Sequence, residues 1–431
     1  MELSIIVLVL SFVILLALNV PIAISIGVST VLTMLFTIAP APAITTVAQQ
    51  MATGINSFAL LAIPFFILSG LLMGQGGIAR RLIDFAKVLV GMFPGGLAYV
   101  NVLACMFFGA ISGSSVAATS AIGGFMIPIM NKEGYDKNFN AALTVTSSTT
   151  GLLIPPSNIL IVYSLASGGV SIAALFIAGY LPGIIVGLGL IVVAAIISVM
   201  KKYPVGARSN FIEGVKKLLD AIPSLLLIII VIGGIIAGIF TATEASAVAV
   251  IYSLILSVFI YREVKLKDLP AILLKTVETT SIVMLLIGTS TAMSWILSYE
   301  NIPQTISATL IGLTESKILI FLIINLILLI VGTFMDMTPA VLIFTPIFLP
   351  IAVQLGMDPI HFGIMMVLNL CIGLCTPPVG SVLFVGCSIA QTTITKIIKP
   401  LLPLYVAMMV ALLLVTYIPE LSLFLPRLFG Y

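Results

Sequence analysis

Gly151-Leu-Leu-Ile-Pro-Pro156 and Gly373-Leu-Cys-Thr-Pro-Pro378 are two copies of one motif, 222 positions apart in a chain of 431 residues. They end a gap-free alignment of residues 128–156 with residues 350–378, in which nine of 29 pairs are identical. Proline lacks the backbone N–H that a helix needs, so each motif predicts an interrupted apolar helix. Interrupted helices in corresponding positions of two halves are typical of a transport site near the membrane midplane.

The composition indicates an integral membrane protein with many spans. Hydrophobic residues make up 61% of the chain and charged residues only 8%, whereas a soluble domain carries about 25% charged residues. The apolar residues 3–18 are followed at once by more apolar stretches, so we predict a first span and not a cleaved signal peptide. The basic residues lie in separate loops, which gives no indication of nucleic-acid binding.

The lengths of the apolar stretches distinguish simple spans from folded-back segments. Residues 95–130 and 317–351 have polar or glycine residues at their centres, and a straight helix of this length would reach about 54 Å, well beyond the bilayer. We therefore predict re-entrant hairpins there, broken helices at 138–167 and 361–390, and short amphipathic interface helices at 80–90 and 209–220. Simple spans are expected near 3–18, 21–38, 55–74, 172–200, 222–240, 242–261, 277–298 and 401–419.

The distribution of basic residues predicts the orientation of these segments. If the ends of the first hairpin face the cytoplasm, 16 of the 18 Lys and Arg residues fall on that side, and only Lys317 and Arg427 fall elsewhere. This agrees with the positive-inside rule. It places both chain termini and the ends of the second hairpin on the periplasmic side, so the two repeats have opposite orientations.

The predicted fold class is an all-α integral membrane protein built from inverted-topology repeats, at about 1–200 and 222–420. Each repeat contains one re-entrant hairpin and one Pro-Pro-broken helix, in an elevator-type arrangement of scaffold and transport domain. We expect scaffold helices of repeat one in 1–75, its hairpin, broken helix and following span in 76–200, an interface helix and the scaffold helices of repeat two in 201–300, and the second hairpin, broken helix and last span in 301–431.

The four interruptions are candidates for two cation sites. A broken helix leaves free carbonyl groups at one end, which coordinate hard cations such as Na⁺, and free N–H groups at the other, which attract anions. The alternative is that these Gly and Pro residues merely kink or pack helices. The predicted metal ligands are, for site one, Ser112, Gly113, Ser114, Gly151 and Pro155, with Pro156 beside them, and, for site two, Gly332, Thr333, Asp336, Gly373, Thr376 and Pro377.

Two carboxylates lie in or next to apolar stretches. Asp336 is at the centre of one, where an ionised group costs at least about 2.5 kcal/mol. A bound sodium ion, a helix-capping role or proton transfer could each explain it. Glu244 follows Thr241 at the start of a predicted span, and we expect it to cap that helix.

Hydroxyl and amide side chains between the interruptions are candidates for substrate binding. No Lys or Arg is expected at mid-depth to hold a carboxylate, so an acidic substrate would depend on helix N-termini and bound sodium. The alternative for each hydroxyl is an internal hydrogen bond to a backbone carbonyl. The candidates are Ser115, Thr119, Ser148, Thr149, Ser157, Asn158, Thr338, Asn369 and Ser381, together with Ser147.

Neither an enzyme nor a channel agrees well with this pattern. A Ser–His dyad at Ser112 would need His361, the only histidine, which the predicted topology puts near the outer surface. Cys371 and Cys375 lack the further ligands of a zinc site and are expected to be apolar fillers. An ion channel is usually symmetric around a pore, whereas an inverted repeat suits alternating access.

Four runs resemble the large membrane subunit of tripartite ATP-independent periplasmic (TRAP) transporters: 109–119, 151–158, 238–248 and 332–340 (Gly-Thr-Phe-Met-Asp-Met-Thr-Pro-Ala). The resemblance covers essentially the whole chain, although Ala242 replaces a proline of the family. It implies an elevator carrier in the bacterial inner membrane, driven by Na⁺ at two or more sites in the hairpin-tip regions.

The same resemblance implies partners and a class of cargo. The partners are a small four-helix membrane subunit, expected here as a separate chain, and a periplasmic substrate-binding protein. The cargo would be a dicarboxylate, a sialic acid or a sugar acid. The alternative is a stand-alone sodium/carboxylate symporter of the same superfamily, which would need no soluble receptor.

Overall fold

The computed structural model describes residues 2–206, 211–314, 316–377 and 380–431, and this part of the chain is helical apart from turns and one isolated bridge between Pro94 and Val205. Short 3₁₀ turns at Phe58–Leu61 and Leu266–Asp268 and a π-helical turn at Ile255–Ile260 connect or extend the main helices. The helices are α1 Glu2–Ala17, α2 Ile22–Thr37, α3 Pro40–Ile55, α4 Ala62–Gln75, α5 Ile78–Val90, α6 Gly96–Ser112, α7 Ser115–Lys132, α8 Lys137–Thr150, α9 Asn158–Ala166, α10 Ile172–Met200, α11 Phe211–Ile236, α12 Ala242–Leu254, α13 Leu269–Tyr299, α14 Ile302–Leu313, α15 Lys317–Phe334, α16 Met337–Gln354, α17 Pro359–Gly373, α18 Ser381–Ala390, α19 Ile394–Tyr417 and α20 Glu420–Leu428.

Eight helical segments in the described part of the chain are long and apolar enough to cross a membrane. The longest covers residues 266–299, and several shorter apolar helices accompany them, among them Gly96–Ser112 and Pro359–Gly373. A multi-pass membrane protein is therefore confirmed.

All four predicted interruptions occur. The stretch 95–130 divides into α6 and α7 at Gly113 and Ser114, and 317–351 divides into α15 and α16 at Met335 and Asp336. The Gly-Leu-Leu-Ile-Pro-Pro motif separates α8 from α9, and its second copy separates α17 from α18. Pro378 and Val379 of the second copy lie outside the described residues.

Local chemistry explains several of the identical pairs in the two halves. Gly134 and Gly356 have φ of 82° and 90°, a left-handed conformation that glycine adopts without steric cost. Asp136 then accepts a hydrogen bond from Phe139 N at 2.8 Å to begin α8, and Asp358 accepts one from Ile360 N at 2.7 Å to begin α17. The turn glycine and the capping aspartate thus form the same helix start twice.

The second half differs from the sequence prediction at one predicted element. Residues 209 and 210 of the predicted interface helix lie outside the described residues, and residues 211–220 are not a separate helix, because α11 continues without a break from Phe211 to Ile236. Pro223 lies inside this helix, where it removes one hydrogen bond but leaves the apolar face continuous. Three further helices, α3, α14 and α20, were not predicted. The mixed Ala, Thr and Gln content of α3 and α14 is weaker than the signal of a span, and α20 has only 9 residues.

Helices α8 and α17 form the centre of the molecule. Residues Phe139–Thr150 of α8 and His361–Gly373 of α17 are all buried. Helix α8 packs against α6 and α19, and α17 packs against α15 and α10. Helix α7 packs against α18, and α16 packs against α9, while α4 packs on α12 and α13 on α2. The four interruptions are therefore held around one pair of buried helices.

Candidate functional site

A cavity of about 430 Å³ lies where the helix interruptions meet. Its lining includes both junctions, Ser112–Ser115 between α6 and α7 and Asp336–Thr338 at the start of α16. Asn158 at the start of α9 and Leu374 after α17 also line it, as do residues of α4 and α13. Two segments more than 200 residues apart thus share one enclosed space, as the repeat predicts.

At the first junction, Gly113 has φ of 60° and its N–H binds Gly109 O at 2.8 Å, which ends α6. The Ser114 hydroxyl accepts a hydrogen bond from Ala117 N at 3.3 Å, which begins α7. The next interruption is adjacent, since a methyl group built on Gly113 would lie 3.3 Å from Asn158 Nδ2 and 3.5 Å from Pro156 O. The first junction and the first Pro-Pro break therefore form one compact group of carbonyl, hydroxyl and amide groups.

The second junction contacts the second break in a similar way. Gly380 N lies 3.4 Å from Thr333 O, and the Thr376 hydroxyl donates to Ile372 O at 2.8 Å. The Thr333 hydroxyl donates to Ile330 O at 2.6 Å. Of the predicted ligands of site two, Asp336 lines the cavity, whereas Gly332, Thr333, Gly373, Thr376 and Pro377 lie behind it. In site one, Gly151 and Pro155 likewise lie behind the wall formed by Ser112, Gly113 and Ser114.

Each helix junction contacts the neighbouring Pro-Pro break through one pair of glycines. A methyl group built on Gly151 would lie 2.2 Å from Gly109 Cα, and one built on Gly373 would lie 2.6 Å from Gly332 Cα. Real Cβ atoms do not approach another carbon so closely, so the two backbones touch only because both residues are glycine. Gly151 and Gly373 thus set the distance from α6 to α8 and from α15 to α17.

Asp336 occupies the N-cap position of α16 but does not act as a side-chain cap. Its backbone has φ of −69° and ψ of 161°, and its carboxylate makes no side-chain capping hydrogen bond to α16. The side chain is instead exposed on the cavity. Of the three explanations considered from the sequence, capping by the side chain is not supported, and the carboxylate remains available to a ligand. Glu244 differs, because it forms a capping box with Thr241 (Thr241 N to Glu244 Oε2, 2.8 Å), as predicted.

Among the substrate candidates, Ser115, Asn158 and Thr338 line the cavity. The Asn158 Oδ1 atom is buried and has no hydrogen-bond partner among the described residues. The remaining candidates lie behind the cavity wall. Thr119 donates to Ser148 Oγ at 2.7 Å, Asn369 donates to Asn325 Oδ1 at 2.8 Å, and the hydroxyls of Thr149 and Ser157 bond backbone carbonyls. The bonds of Thr149 and Ser157 to backbone carbonyls are the alternative role considered from the sequence, whereas those of Thr119 and Asn369 join two side chains. Ser381 and Ser147 have buried hydroxyls without a partner in the described part of the chain.

The residues considered for enzyme or metal chemistry are involved in packing. His361 is buried, and its Nε2 lies 2.6 Å from Val415 O, far from Ser112 in the fold. All four cysteines are free and buried, and the thiols of Cys371 and Cys375 point at Thr149 O and Val145 O. No group of three His, Cys, Asp or Glu side chains that could hold a metal ion occurs in the described residues.

Sequence analysis missed the residues that α4 and α13 contribute to the cavity. Gly70 of α4 lines it, and so do Lys275, Thr279 and Val283 of α13. The sequence assigned Lys275 to a basic loop before the span. Lys275 is four residues before Thr279 and eight before Val283, so the three side chains lie on one face of a helix. This spacing is the sequence signal from which the position of Lys275 could have been predicted.

We expect Gly70→Ala to disturb the contact between α4 and the first junction. The added methyl group would lie 2.8 Å from Ser112 O, a backbone atom that cannot move away alone. Overpacking of this kind costs about 1–3 kcal/mol, so the purified protein should melt at a lower temperature. Gly74→Ala, one turn further along the same helix, is the control, because its nearest neighbour would be Phe108 Cζ at 3.8 Å. Equal melting temperatures for the two variants would contradict this prediction.

The fold identifies the class of protein. The chain is similar in structure to the YdaH transporter of Alcanivorax borkumensis, with a TM-score of 0.56 over 91% of this chain and 90% of that one, at 14% sequence identity. The two chains share an all-helical fold. Residues 9–421 match the family model described as tripartite ATP-independent periplasmic transporter, DctM component. The chain therefore belongs to the family of large permease components of TRAP transporters, which agrees with the predicted carrier and not with an enzyme.

Curated relatives cover most of the chain. A protein named YgiK from Salmonella typhimurium is 56% identical over 420 residues, which is 97% of this chain and 96% of that protein. The C4-dicarboxylate TRAP transporter large permease protein DctM of Pseudomonas aeruginosa is 44% identical over 86% of this chain and 87% of its own length. The isethionate TRAP transporter permease protein DctMQ of Oleidesulfovibrio alaskensis is 41% identical over 96% of this chain and 65% of its own length.

Proposed function

We propose that this permease carries a small organic anion across the bacterial inner membrane together with Na⁺, by an elevator motion. The cavity that both junctions share is the observation on which the proposal depends, because the starts of α7, α9 and α16 and the end of α6 all lie on its lining. A periplasmic binding protein would deliver the anion, and a small membrane subunit would complete the permease, in keeping with a tripartite system. The cargo would be a dicarboxylate, a sialic acid, a sugar acid or a related anion.

The inverted repeat is supported by how the helices correspond. A shift of 222 residues carries α7 onto α16 and places α6 within one residue of α15. The packing of α7 on α18 then corresponds to that of α16 on α9, and the packing of α8 on α19 to that of α17 on α10. Cys371 Sγ lies 3.4 Å from Thr149 O, and these two residues are themselves 222 apart. Contact between equivalent positions is expected only near a two-fold axis, which would pass between α8 and α17.

The carboxyl-terminal ends of helices at the two junctions supply oxygen atoms that would bind Na⁺. In our proposal α6 with α7 and α15 with α16 are re-entrant hairpins, so their junctions lie deep in the membrane. Carbonyl groups at the ends of α6 and α15 and the hydroxyls of Ser112 and Ser114 are hard oxygen donors that suit Na⁺. Asp336 adds a full negative charge at the second junction, which bound Na⁺ would neutralise. The glycines and prolines behind the wall would hold the donors in place.

The amino-terminal ends of helices at the cavity supply N–H groups that would bind the organic anion. Helices α7, α9 and α16 all begin at residues that line the cavity. Their free N–H groups and positive dipole ends favour negative charge. Ser115, Asn158 and Thr338 would supply hydrogen bonds to the cargo. The relatives named above are described as transporters for C4-dicarboxylates and isethionate, and both of these are anions.

Two groups of helices suit an elevator motion. Helices α1–α4 and α11–α13 would form the scaffold, and the hairpins, broken helices and following spans would form the moving domain. Both groups contribute to the lining of the cavity, α4 and α13 from the first and the two junctions from the second. Positive-inside bias places both termini in the periplasm.

We expect uptake in liposomes to require both Na⁺ and the binding protein. The full permease, with its small subunit, would be reconstituted and given radiolabelled succinate or isethionate with its cognate binding protein. Replacing Na⁺ by K⁺ should abolish uptake, because the junction donors would lack their ion. Omitting the binding protein should do the same. Sodium-driven uptake without the receptor would instead support the stand-alone symporter, and uptake indifferent to Na⁺ would contradict the proposed coupling.

A further inference from the structure

The cavity is lined by one positive charge, Lys275, to which the proposed function assigns no role. Lys275 lies two turns inside α13, which begins at Leu269, and it lines the cavity together with Thr279 and Val283. Among the described residues that line the cavity, Lys275 is the only cation and Asp336 is the only carboxylate. The two charges come from different helices, Lys275 from α13 and Asp336 from the N-cap of α16.

The surroundings of Lys275 strengthen its field toward the cavity. Apolar side chains of α4, namely Ile63, Ile67 and Leu71, form the adjoining wall. Low-dielectric walls reduce the screening of a charge, so the Lys275 ammonium group attracts an anion more strongly here than in open water, while Asp336 on the same lining carries the opposite charge. A single ammonium group at the rim of the cavity therefore acts on any anion that passes.

The ion pair between Lys275 and Glu278 would not prevent Lys275 from attracting an anion. The Lys275 Nζ lies 2.9 Å from Glu278 Oε2, and both side chains are about 60% exposed (60% and 59%). Exposed ion pairs of this kind contribute little to stability, because water screens them and two flexible side chains must be held in place. A passing carboxylate can therefore replace Glu278 at the ammonium group, and Glu278 can take it back.

We propose that Lys275 is an anion-binding subsite at the mouth of the cavity, and that Glu278 competes with the cargo for it. The subsite binds the carboxylate or sulfonate of the organic anion between the cavity and the aqueous phase on the side of the basic loops. Competition by Glu278 keeps the affinity of Lys275 for the anion low, so the anion binds there and also dissociates readily. Conduction through successive sites requires such weak binding at each site. The identity of the cargo rests on the proposed function, whereas the local charge effect does not.

The local charge can be tested without knowing the cargo. A Thr279→Cys reporter, one turn from Lys275, would be placed in the full-length protein in nanodiscs. Its rates of reaction with an anionic and a cationic methanethiosulfonate of similar size would be compared at low salt. The four native cysteines are buried, and the protein without the reporter gives the background. At about 10 mM salt the screening length is about 30 Å, so one charge at this distance is fully felt.

In the Thr279→Cys background, Lys275→Gln should lower the ratio of the anionic to the cationic rate by about fivefold or more. Lys275→Arg should keep the ratio, and Glu278→Gln should raise it. Lys267→Gln is the matched control, because Lys267 is a basic residue at the same end that does not line the cavity, and at its greater distance from the reporter it should lower the ratio much less than Lys275→Gln does. The proposal is overturned if Lys275→Gln leaves the ratio as it is, or if Lys267→Gln lowers it equally.

A second measurement separates this subsite from the proposed function. In the reconstituted permease, counterflow of succinate or isethionate would be measured against the concentration of the anion on the side of the basic loops. Lys275→Gln should weaken the apparent affinity on that side severalfold, and Lys275→Arg should restore it. If transport proceeds with unchanged affinity, the cargo role of Lys275 is overturned. If no anion is transported but the rate ratio shifts as expected, the subsite stands and the proposed function fails.

Discussion

Asp336→Asn is expected to weaken the apparent affinity for Na⁺ on the order of 100-fold in the uptake assay. A unit charge about 4 Å from Na⁺ contributes roughly 4 kcal/mol at an effective dielectric constant near 20, and the cost of burying the charge cancels part of it. The substitution keeps the size of the side chain and removes only its charge. Because the carboxylate makes no capping hydrogen bond to the first turn of α16, the start of that helix should stay intact.

The readout for Asp336→Asn is the dependence of initial uptake on Na⁺ concentration in liposomes that contain the complete system. Glu244→Gln makes the same chemical change in an exposed capping box with Thr241, where an amide can still accept the hydrogen bond. We expect its sodium dependence to match the parent. Unchanged sodium dependence in Asp336→Asn would rule out a ligand charge at the second junction.

Gly151→Ala is expected to lower the stability of the protein by about 3 kcal/mol, at the upper end of ordinary overpacking effects. The new methyl group would lie 2.2 Å from Gly109 Cα and 2.5 Å from Gly109 C. Both atoms are backbone, so α6 and α8 must separate before the methyl group can fit. Separation would move the first junction away from Asn158 and Pro156, and uptake should fall together with stability.

Thermal unfolding of the purified protein, followed by the loss of monodisperse material, measures this effect. Gly124→Ala is the control, because it changes the same residue type in the neighbouring helix α7 at a position with nothing within 4 Å of the added Cβ. Alanine is preferred over glycine inside a helix by about 0.5–1 kcal/mol, so this variant should be slightly more stable. If Gly151→Ala also gains stability, the contact between the two glycines does not set the helix spacing.

Much of the fold could be predicted because its signals are local. The breaks at Gly113, Asp336 and the two Pro-Pro motifs follow from residues that end or begin a helix by their own backbone chemistry. The lengths of the apolar stretches fixed the number and order of most helices. The wrong prediction at the start of α11 also came from a local signal. The charged residues near 216 and 220 suggested a separate interface helix, whereas the backbone continues through them to Ile236 as one helix.

The composition of the candidate site was only partly predictable. Ser112–Ser115, Asn158, Asp336 and Thr338 line the cavity, as the repeat indicated, but the hydroxyls of Thr119 and Ser148 bind each other behind it. Both sets of residues are polar and stand in similar sequence surroundings. Which of them faces open space depends on the rotation of each helix against its neighbours, and no local pattern records that rotation.

By itself, the sequence determined that this chain is a multi-pass membrane protein, where its helices break, and which family it belongs to, because these properties depend on composition, on spacing and on residues next to one another. Only the tertiary structure decided that Asp336 faces a cavity without capping its helix, that Lys275 lines the same cavity, and that pairs of glycines bring the helices into contact. Each of these depends on atoms that are 40 or more residues apart in the chain, and the packing of whole helices alone brings such atoms together.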